Sequence, residues 1–298
     1  MRALVTGASG FIGGRLCRLL VSEGHEVAAL ARRPGSEPAG TRAAVADLGD
    51  GAALAAVLGE QRPDVVFHLA AEIATARDEH RLRAVNVEGT RRLVDACLGA
   101  GGPLLVFAST VVTGDAGGRL LTEDEPLPVQ TPYGRSKQDG ERIVLDSGLP
   151  AVVLRPSHVY GPGGWFAEEI VARIRAPGRL AVVGRGENLW DVVHVDDVCS
   201  ALLAAATQEA ARGEVFHCAD DDPIAYRDFM ALTARALGAG RPRSIPVPIA
   251  RLVAGRNAVD AVVRSARSSN AKLKTVLGWA PRYPSAREGV PAAVAELA

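Results

Sequence analysis

Tyr133 and Lys137 stand four residues apart in Thr131-Pro132-Tyr133-Gly134-Arg135-Ser136-Lys137. On a helix that spacing puts a phenol and an ammonium on one face. A phenol of ordinary pKa ~10 is a poor proton shuttle at neutral pH, but a neighbouring cation and the positive end of a helix both favour its ionised form. Thr131 suits an N-cap and Pro132 the first helical position, so Tyr133 falls in the first turn. The pair therefore reads as a general acid/base for an oxygen that is made or consumed. Upstream, the apolar run Leu104 to Ala108 ends at Ser109 and Thr110. Hydroxyls at the carboxyl end of a strand stand where an open α/β sheet displays its reactive groups, and one there could bind a carbonyl oxygen. In isolation Tyr-x-x-x-Lys also describes a surface aromatic beside a solvated lysine.

The start of the chain weighs against that bland reading. Thr6-Gly7-Ala8-Ser9-Gly10-Phe11-Ile12-Gly13 follows the apolar run Ala3-Leu4-Val5 and opens a segment of helical period. Gly7 permits a tight turn, Gly10 lets backbone approach a phosphate, and Gly13 allows close helix-to-strand packing, while free N–H groups at the helix start face an anion. A dinucleotide is implied. The elements that must position these groups alternate: strands near Arg2 to Thr6, Glu26 to Ala31, Val65 to Leu69, Leu104 to Ala108 and Ala151 to Arg155. Between them lie helices Phe11 to Glu23, Ala52 to Leu58, about Arg81 to Gly99, and Pro132 to Ser147, with Gly24 and Gly148 suited to C-terminal caps. This is the pattern of a doubly wound parallel sheet, the Rossmann arrangement.

After Arg155 the rhythm is broken by Gly161-Pro162-Gly163-Gly164, Pro177-Gly178 and Gly184-Arg185-Gly186. Strand-like Val192 to Val195 and Val215 to Cys218 flank a helix over Asp196 to Thr207, so the chain returns to its first unit. The division expected is a dinucleotide-binding domain over 1–155 and about 190–220, with a smaller, discontinuous substrate lobe over about 156–189 and 221–298. Gly238 to Pro248 reads as the most mobile loop. Lys plus Arg and Asp plus Glu both number 34 in 298 residues, without a basic stripe, which argues against a nucleic-acid partner. No apolar run approaches membrane-spanning length and the N-terminus enters a strand directly, so a cytoplasmic protein without membrane contact is expected. Cys17, Cys97, Cys199 and Cys218 lie scattered in apolar stretches and read as buried thiols, and the six His show no metal-ligand spacing.

Together these features resemble the extended short-chain dehydrogenase/reductase family, which includes sugar-nucleotide epimerases, 4,6-dehydratases and ketone reductases. The resemblance covers nearly the whole chain. It is carried by Thr6 to Gly13, Asp47-Leu48, His68-Leu69-Ala70-Ala71, Asn86 with Gly89-Thr90, Ser109, Tyr133 with Lys137, Leu154-Arg155-Pro156, Val159-Tyr160-Gly161-Pro162 and His194-Val195-Asp196-Asp197. It implies that Tyr133 is the acid/base, that Ser109 bonds the substrate oxygen, and that Lys137 lowers the phenol pKa and holds the nicotinamide ribose. It also implies cofactor contacts at Gly7, Ser9, Gly10, Phe11, Ile12 and Gly13, at Asp47 and Leu48 beside the adenine, at Leu69, Ala70 and Ala71, and at Pro156 and Val159 near the nicotinamide amide. Asn86, His194 and Asp196 read as hydrogen-bonded scaffold. Members often dimerise through two helices, here Arg81 to Gly99 and Pro132 to Ser147, so a homodimer is possible.

An NAD site usually ends its second strand with an acid for the ribose 2′-hydroxyl. Here Ala31 is followed by Arg32 and Arg33. Guanidiniums suit a 2′-phosphate, so NADP(H) is favoured over NAD(H). Three departures from the family narrow the reaction. The dehydratases follow the strand-end hydroxyl with Asp-Glu, and this chain has Thr110-Val111. Sugar-nucleotide members usually carry Asn where His158 stands and Arg where Trp190 precedes Asp191. The family tyrosine before Gly114 is Thr113. An indole in place of a phosphate-binding guanidinium suits a flat or apolar small-molecule substrate, with Trp165, Phe166, Val182 and Trp190 as wall candidates and Arg185 and Thr110 as polar contacts. The reading is an NADPH-dependent reductase of a ketone or aldehyde. The alternatives are a sugar-nucleotide 4-epimerase or 4-keto reductase and, from another class, a non-catalytic nucleotide sensor.

Overall fold

A computed structural model describes residues 1–73, 78–176 and 181–297. Seven strands, β1 (Arg2–Thr6), β2 (Glu26–Ala31), β3 (Arg42–Val45), β4 (Val65–His68), β5 (Leu104–Ala108), β6 (Ala151–Pro156) and β7 (Val215–Cys218), form one sheet in the order β7-β6-β5-β4-β1-β2-β3. Every pairing is parallel. The order reverses between β1 and β4, which opens a crevice beyond the strands' carboxyl ends. Register sets what meets there: Thr6 lies opposite both Leu30 and His68, His68 opposite Phe107, and Ala108 opposite Leu154.

β4 and β5 are buried along their whole length because helices cover both sheet faces. Helices α1 (Phe11–Ser22) and α5 (Val195–Thr207) cover one face, where Leu16, Cys17 and Leu20 meet Val198 and Leu202. Helices α2 (Gly51–Gln61), α3 (Thr90–Gly99) and α4 (Pro132–Leu145) cover the other through Leu54, Leu93 and Val144. Each fully buried leucine contributes roughly 1.5–3 kcal/mol of transfer free energy. The segment read as one helix from Arg81 begins at Glu79 and passes through a π-helical turn, Ala84–Gly89, before α3. β3 went unforeseen because Arg-Ala-Ala-Val carries a single β-branched residue.

The second lobe packs α6 (Tyr226–Ala236) and α8 (Ala286–Glu296) around Tyr160, Phe166, Val182, Trp190 and Phe229. Three expectations for this half change. Val192–His194 pairs with His158–Tyr160 in a short ladder of its own rather than in the main sheet. Gly238 to Pro248 is not a free loop, since Arg243–Ile245 pairs with Ala181–Val183. Helix α7 (Ala271–Leu277) and Trp279 pack with the main sheet through Leu273 and Leu277, so this stretch joins the first core, not the lobe. Pro177 and Gly178 lie outside the described residues. All four cysteines are buried and free. Among the described residues no acid, His or Cys cluster could hold a metal, and no helix is long and apolar enough to cross a membrane.

Candidate active site

The turn between β1 and α1 is made of backbone. Gly7 has φ +69°, and the Gly10 N–H donates to the Gly7 carbonyl at 2.9 Å. A Cβ on Gly13 would stand 2.1 Å from the Gly7 oxygen, and one on Gly7 would stand 2.8 Å from the Ala70 nitrogen. No side chain caps α1 at Gly10, so its first amides remain for an anion. This bare, side-chain-free cradle fits a pyrophosphate. Ser9 is exposed there, with Ile12 against the α1–α5 core. Phe11 packs its ring on Gly163 and Gly164, where Cβ atoms would come within 3.0 and 2.8 Å of it. Gly161-Pro162-Gly163-Gly164, legible in sequence only as a break, is thus the seat of the Phe11 ring.

At the next strand end, the Leu69 and Ala70 amides donate to Thr6 Oγ1, at 3.1 and 3.0 Å. The Thr6 hydroxyl is left to donate to His68 Nδ1 at 2.8 Å, and His68 Nε2 then donates to Thr90 Oγ1 at 3.0 Å. Burial and the Lys137 charge push His68 down to about 3, which holds the ring neutral in that tautomer. Asn86 closes the frame. Its side chain donates to the Glu72 carbonyl and to Ser136 Oγ and accepts from the Glu72 amide. Since Ser136 Oγ also donates to the Tyr133 carbonyl, Asn86 braces the first turn of α4, where the phenol stands.

Thr131 caps α4 by accepting from the Gly134 amide at 3.0 Å, with Pro132 behind it. A Cβ on Gly134 would meet the Thr113 Cβ at 2.9 Å, and one on Gly140 would meet the Phe107 ring at 3.0 Å. Two glycines therefore let α4 lie close to β5 and to the loop that follows it. Lys137 is 2 % exposed, with Nζ 4.3 Å from the Phe107 ring centroid. Burial lowers its pKa to about 8, against the opposing pull of Glu141. Burial raises the Tyr133 phenol to about 12. This corrects the expectation that Lys137 acidifies the phenol: desolvation dominates and keeps Tyr133 as O–H. Ser109 Oγ, buried at the end of β5, has no hydrogen-bond partner among the described residues, and nor does Ser157 Oγ beyond β6. The two strand ends are joined, because the Ser109 amide donates to Leu154 O at 2.7 Å and the Val111 amide to Pro156 O at 3.1 Å. Orphaned buried hydroxyls are rare, and here they mark places where a ligand polar atom fits.

On the adenine side, Arg32 and Arg33 are exposed beyond β2 and form no ion pair among the described residues. Asp47 accepts from the Gly49 amide, and Leu48 is buried where a Cβ on Gly89 would stand 3.1 Å away. Leu69, Ala70 and Ala71 are half-buried along the crevice, Pro156 closes β6, and the Val159 carbonyl accepts from Trp165 Nε1.

Comparison with known proteins decides the class. Residues 3–219 match the NAD dependent epimerase/dehydratase family. The chain belongs to it. A 3-diazoavenalumate denitrifying reductase from a Streptomyces species is 33% identical over 97% of this chain and 99% of that protein. The UDP-glucose 4-epimerase of Mycolicibacterium smegmatis is 32% identical over 97% and 96%. Among solved structures, MoeE5 in complex with UDP-glucose and NAD superposes with a TM-score of 0.82 at 30% identity, covering 99% and 98% of the two chains. This member of the family is an NAD(P)-dependent enzyme of the extended short-chain dehydrogenase/reductase type.

Its substrate side departs from the sequence reading in several places. Arg185 extends into solvent, its side chain 84% exposed and paired with Glu187, so it contacts no site. The Thr110 hydroxyl is committed to backbone, donating to Pro156 O and accepting from the Val112 amide. Phe166 and Val182 lie in the lobe core and line nothing. Trp190 is buried as well: Nε1 donates to Val262 O, one face of the indole lies near parallel to Tyr226 with centroids 4.5 Å apart, and His158 stacks on it at 5.4 Å. It is the floor beneath His158 rather than a wall. Trp165 is half-buried and meets His158 edge-on at 6.1 Å. His158 Nδ1 donates to the Asp191 carbonyl at 2.9 Å, so Nε2 accepts from Arg264. Sequence reading missed Arg264, Ser157 and the role of the Gly161–Gly164 run. Ser157 carried a usable signal, being next to the expected nicotinamide contact at Pro156. Arg264 carried none, since its partner lies 106 residues away.

Proposed function

We propose that this chain is an NADPH-dependent reductase of a ketone or aldehyde on a small organic substrate. The observation that carries it is the paired guanidinium groups of Arg32 and Arg33, exposed beyond β2 where a carboxylate for an unphosphorylated ribose would stand. When bound, the reduced nicotinamide supplies the hydride that adds to the carbonyl carbon. Gly7, Gly10 and Gly13 hold the pyrophosphate, and Lys137 bonds the ribose. Ser109 donates its free hydroxyl to the carbonyl oxygen, and Tyr133 gives that oxygen the proton that completes the alcohol. The high pKa of Tyr133, about 12, suits a donor to an alkoxide, which is more basic still.

Cofactor titration tests this reading. Arg32→Ala is expected to weaken NADPH about 30-fold, the loss of one charge-assisted contact of about 2 kcal/mol, with NADH almost unchanged. Equal losses for both would remove the phosphate assignment. A second reading, sugar-nucleotide 4-epimerisation or 4-keto reduction, is favoured by the likeness to a UDP-glucose 4-epimerase over nearly the full length. NAD retained through purification, with turnover of UDP-glucose without added cofactor, would establish it instead.

A further inference from the structure

Arg264 follows the helix Arg256–Val263, and its segment is fastened to both sides of the cleft. Asn188 Nδ2 donates to the Arg264 and Val262 carbonyls, and the Ser265 amide donates to Asp115 Oδ1 in the loop that leaves Ser109. The guanidinium reaches His158, two residues beyond Pro156, whose carbonyl takes the Val111 amide next to the Ser109 strand end. His158 thus ties Arg264 to the strand end that is joined to the end of β5. Its hydrogen-bond partner among the described residues is a neutral imidazole, kept so by burial and by the guanidinium itself, which push His158 down to about 3. Asp115 and Asp191 pull on Arg264 electrostatically, and neither forms an ion pair with it among the described residues. Asp115 is already engaged by the Gly117 and Ser265 amides. Burial lowers Arg264 to about 10, against the opposing pull of Asp115 and Asp191. The guanidinium is half-buried and its only hydrogen bond among the described residues goes to the uncharged His158 ring, so its remaining N–H groups are available to an incoming anion.

Its surroundings state the shape of that anion. His158, Trp165 and Arg264 each keep part of their surface open, over a Trp190–Tyr226 stack. Nε and Nη1 of Arg264 make no hydrogen bond among the described residues, and His158 takes only one of the two N–H groups on Nη2, so a paired N–H edge shared between Nη2 and one of its neighbours stays open to a carboxylate. We propose that the substrate is a flat aromatic acid whose carboxylate is bound by Arg264, with His158 holding the guanidinium in place. The proposal deepens the reductase reading, which supplies the position of the reacting carbon. The binding itself is tested without turnover, so the two can fail separately.

The test titrates cinnamate, methyl cinnamate and UDP against the tryptophan fluorescence of the full-length protein saturated with NADP+. Cinnamate is expected to bind at least 10-fold tighter than its ester. Arg264→Met is expected to erase that preference by weakening cinnamate about 10- to 100-fold, with Arg264→Lys intermediate because it keeps the charge and loses the fork. Equal affinity of acid and ester for the unaltered protein would overturn the carboxylate site, whether or not any variant folds. UDP binding tighter than cinnamate, with the same dependence on Arg264, would overturn the aromatic acid in favour of a nucleoside diphosphate. If acid is preferred but no carbonyl acid is reduced with NADPH, the binding site stands and the reductase reading falls.

Discussion

The two sides of the cleft are built from different materials. At the proposed pyrophosphate site the material is backbone, and the decisive residues are those without side chains: Gly7, Gly10 and Gly13 clear space that any Cβ would fill. Where the substrate is proposed to bind, the surface is made of side chains from distant segments, His158, Trp165 and Arg264 over a buried Trp190, assembled by the short ladders and loops of the lobe. A backbone site can be filled by one ligand shape and is fixed by local sequence. A side-chain site is rebuilt by single substitutions, which is how one fold serves many substrates.

Tyr133 is the proton donor proposed above, and removing it should give the largest effect. Tyr133→Phe is expected to lower kcat by about 10²- to 10⁴-fold, the usual worth of positioned proton transfer, while leaving the affinity for NADPH within a factor of about 2. Stopped-flow measurement of cofactor oxidation with saturating substrate checks it. A variant of undiminished kcat would dissolve the distinction between a reactive centre and its two flanks, and would favour a nucleotide sensor.

Lys137 sharpens the comparison through stability. Its pKa falls from 10.5 to about 8 on burial, so the unfolded chain binds more protons than the folded one between those values. Stability from this group therefore rises as pH climbs from 8 to 10.5, and below pH 8 its full cost is present, about 3 kcal/mol. Lys137→Met should accordingly be more stable than the unaltered protein at pH 7, with the difference shrinking through that window, and nearly inactive. Denaturant unfolding at pH 7 and pH 10 measures both arms. A destabilised variant at pH 7 would mean that Glu141, which itself holds Arg155 through a 2.6 Å ion pair, compensates the buried ammonium fully.

How much of this was legible in the sequence follows the same divide. The sheet, α1 and α4 were readable because their signals are local: an apolar run, a glycine turn, a threonine cap with proline after it. So were Tyr133 with Lys137 and Ser109, each placed by its own element. Their electrostatics were not, because desolvation depends on what covers a group; the phenol came out raised rather than lowered. The substrate side was misread at Arg185, Phe166 and Val182 because residue type cannot say which side of a small lobe faces inward, and at Thr110 because its hydroxyl is taken up by backbone at the strand end. Arg264 needed a contact across 106 residues, and α7 joined the first core through Leu273 and Leu277 despite its place late in the chain.

A smaller effect is expected on the backbone side. Gly13→Ala forces a methyl against the Gly7 oxygen, so α1 must shift away from β1 at a cost of about 1–3 kcal/mol. A lowered Tm together with weakened binding of both NADPH and NADH distinguishes this from Arg32→Ala, which spares NADH. Unchanged cofactor affinity in a destabilised variant would separate helix packing from pyrophosphate binding.

The smallest effect belongs to Arg185→Ala, and it is informative for that reason. Arg185 sits between two glycines in the lobe, which made it resemble an anion contact, yet its side chain is 84% exposed and its partner is Glu187, itself also paired with Arg227. Exposed pairs of this kind contribute about 0–1 kcal/mol, and Glu187 keeps a second partner when Arg185 is lost. KM and kcat with any accepted substrate should therefore stay within about twofold, and Tm should barely move. The same measurement on Arg264 is expected to show a KM that rises while kcat holds, so the two arginines of one lobe separate a solvated charge from a binding one. A raised KM in Arg185→Ala would mean that the lobe closes over the substrate far enough to bring the 184–186 turn into the site.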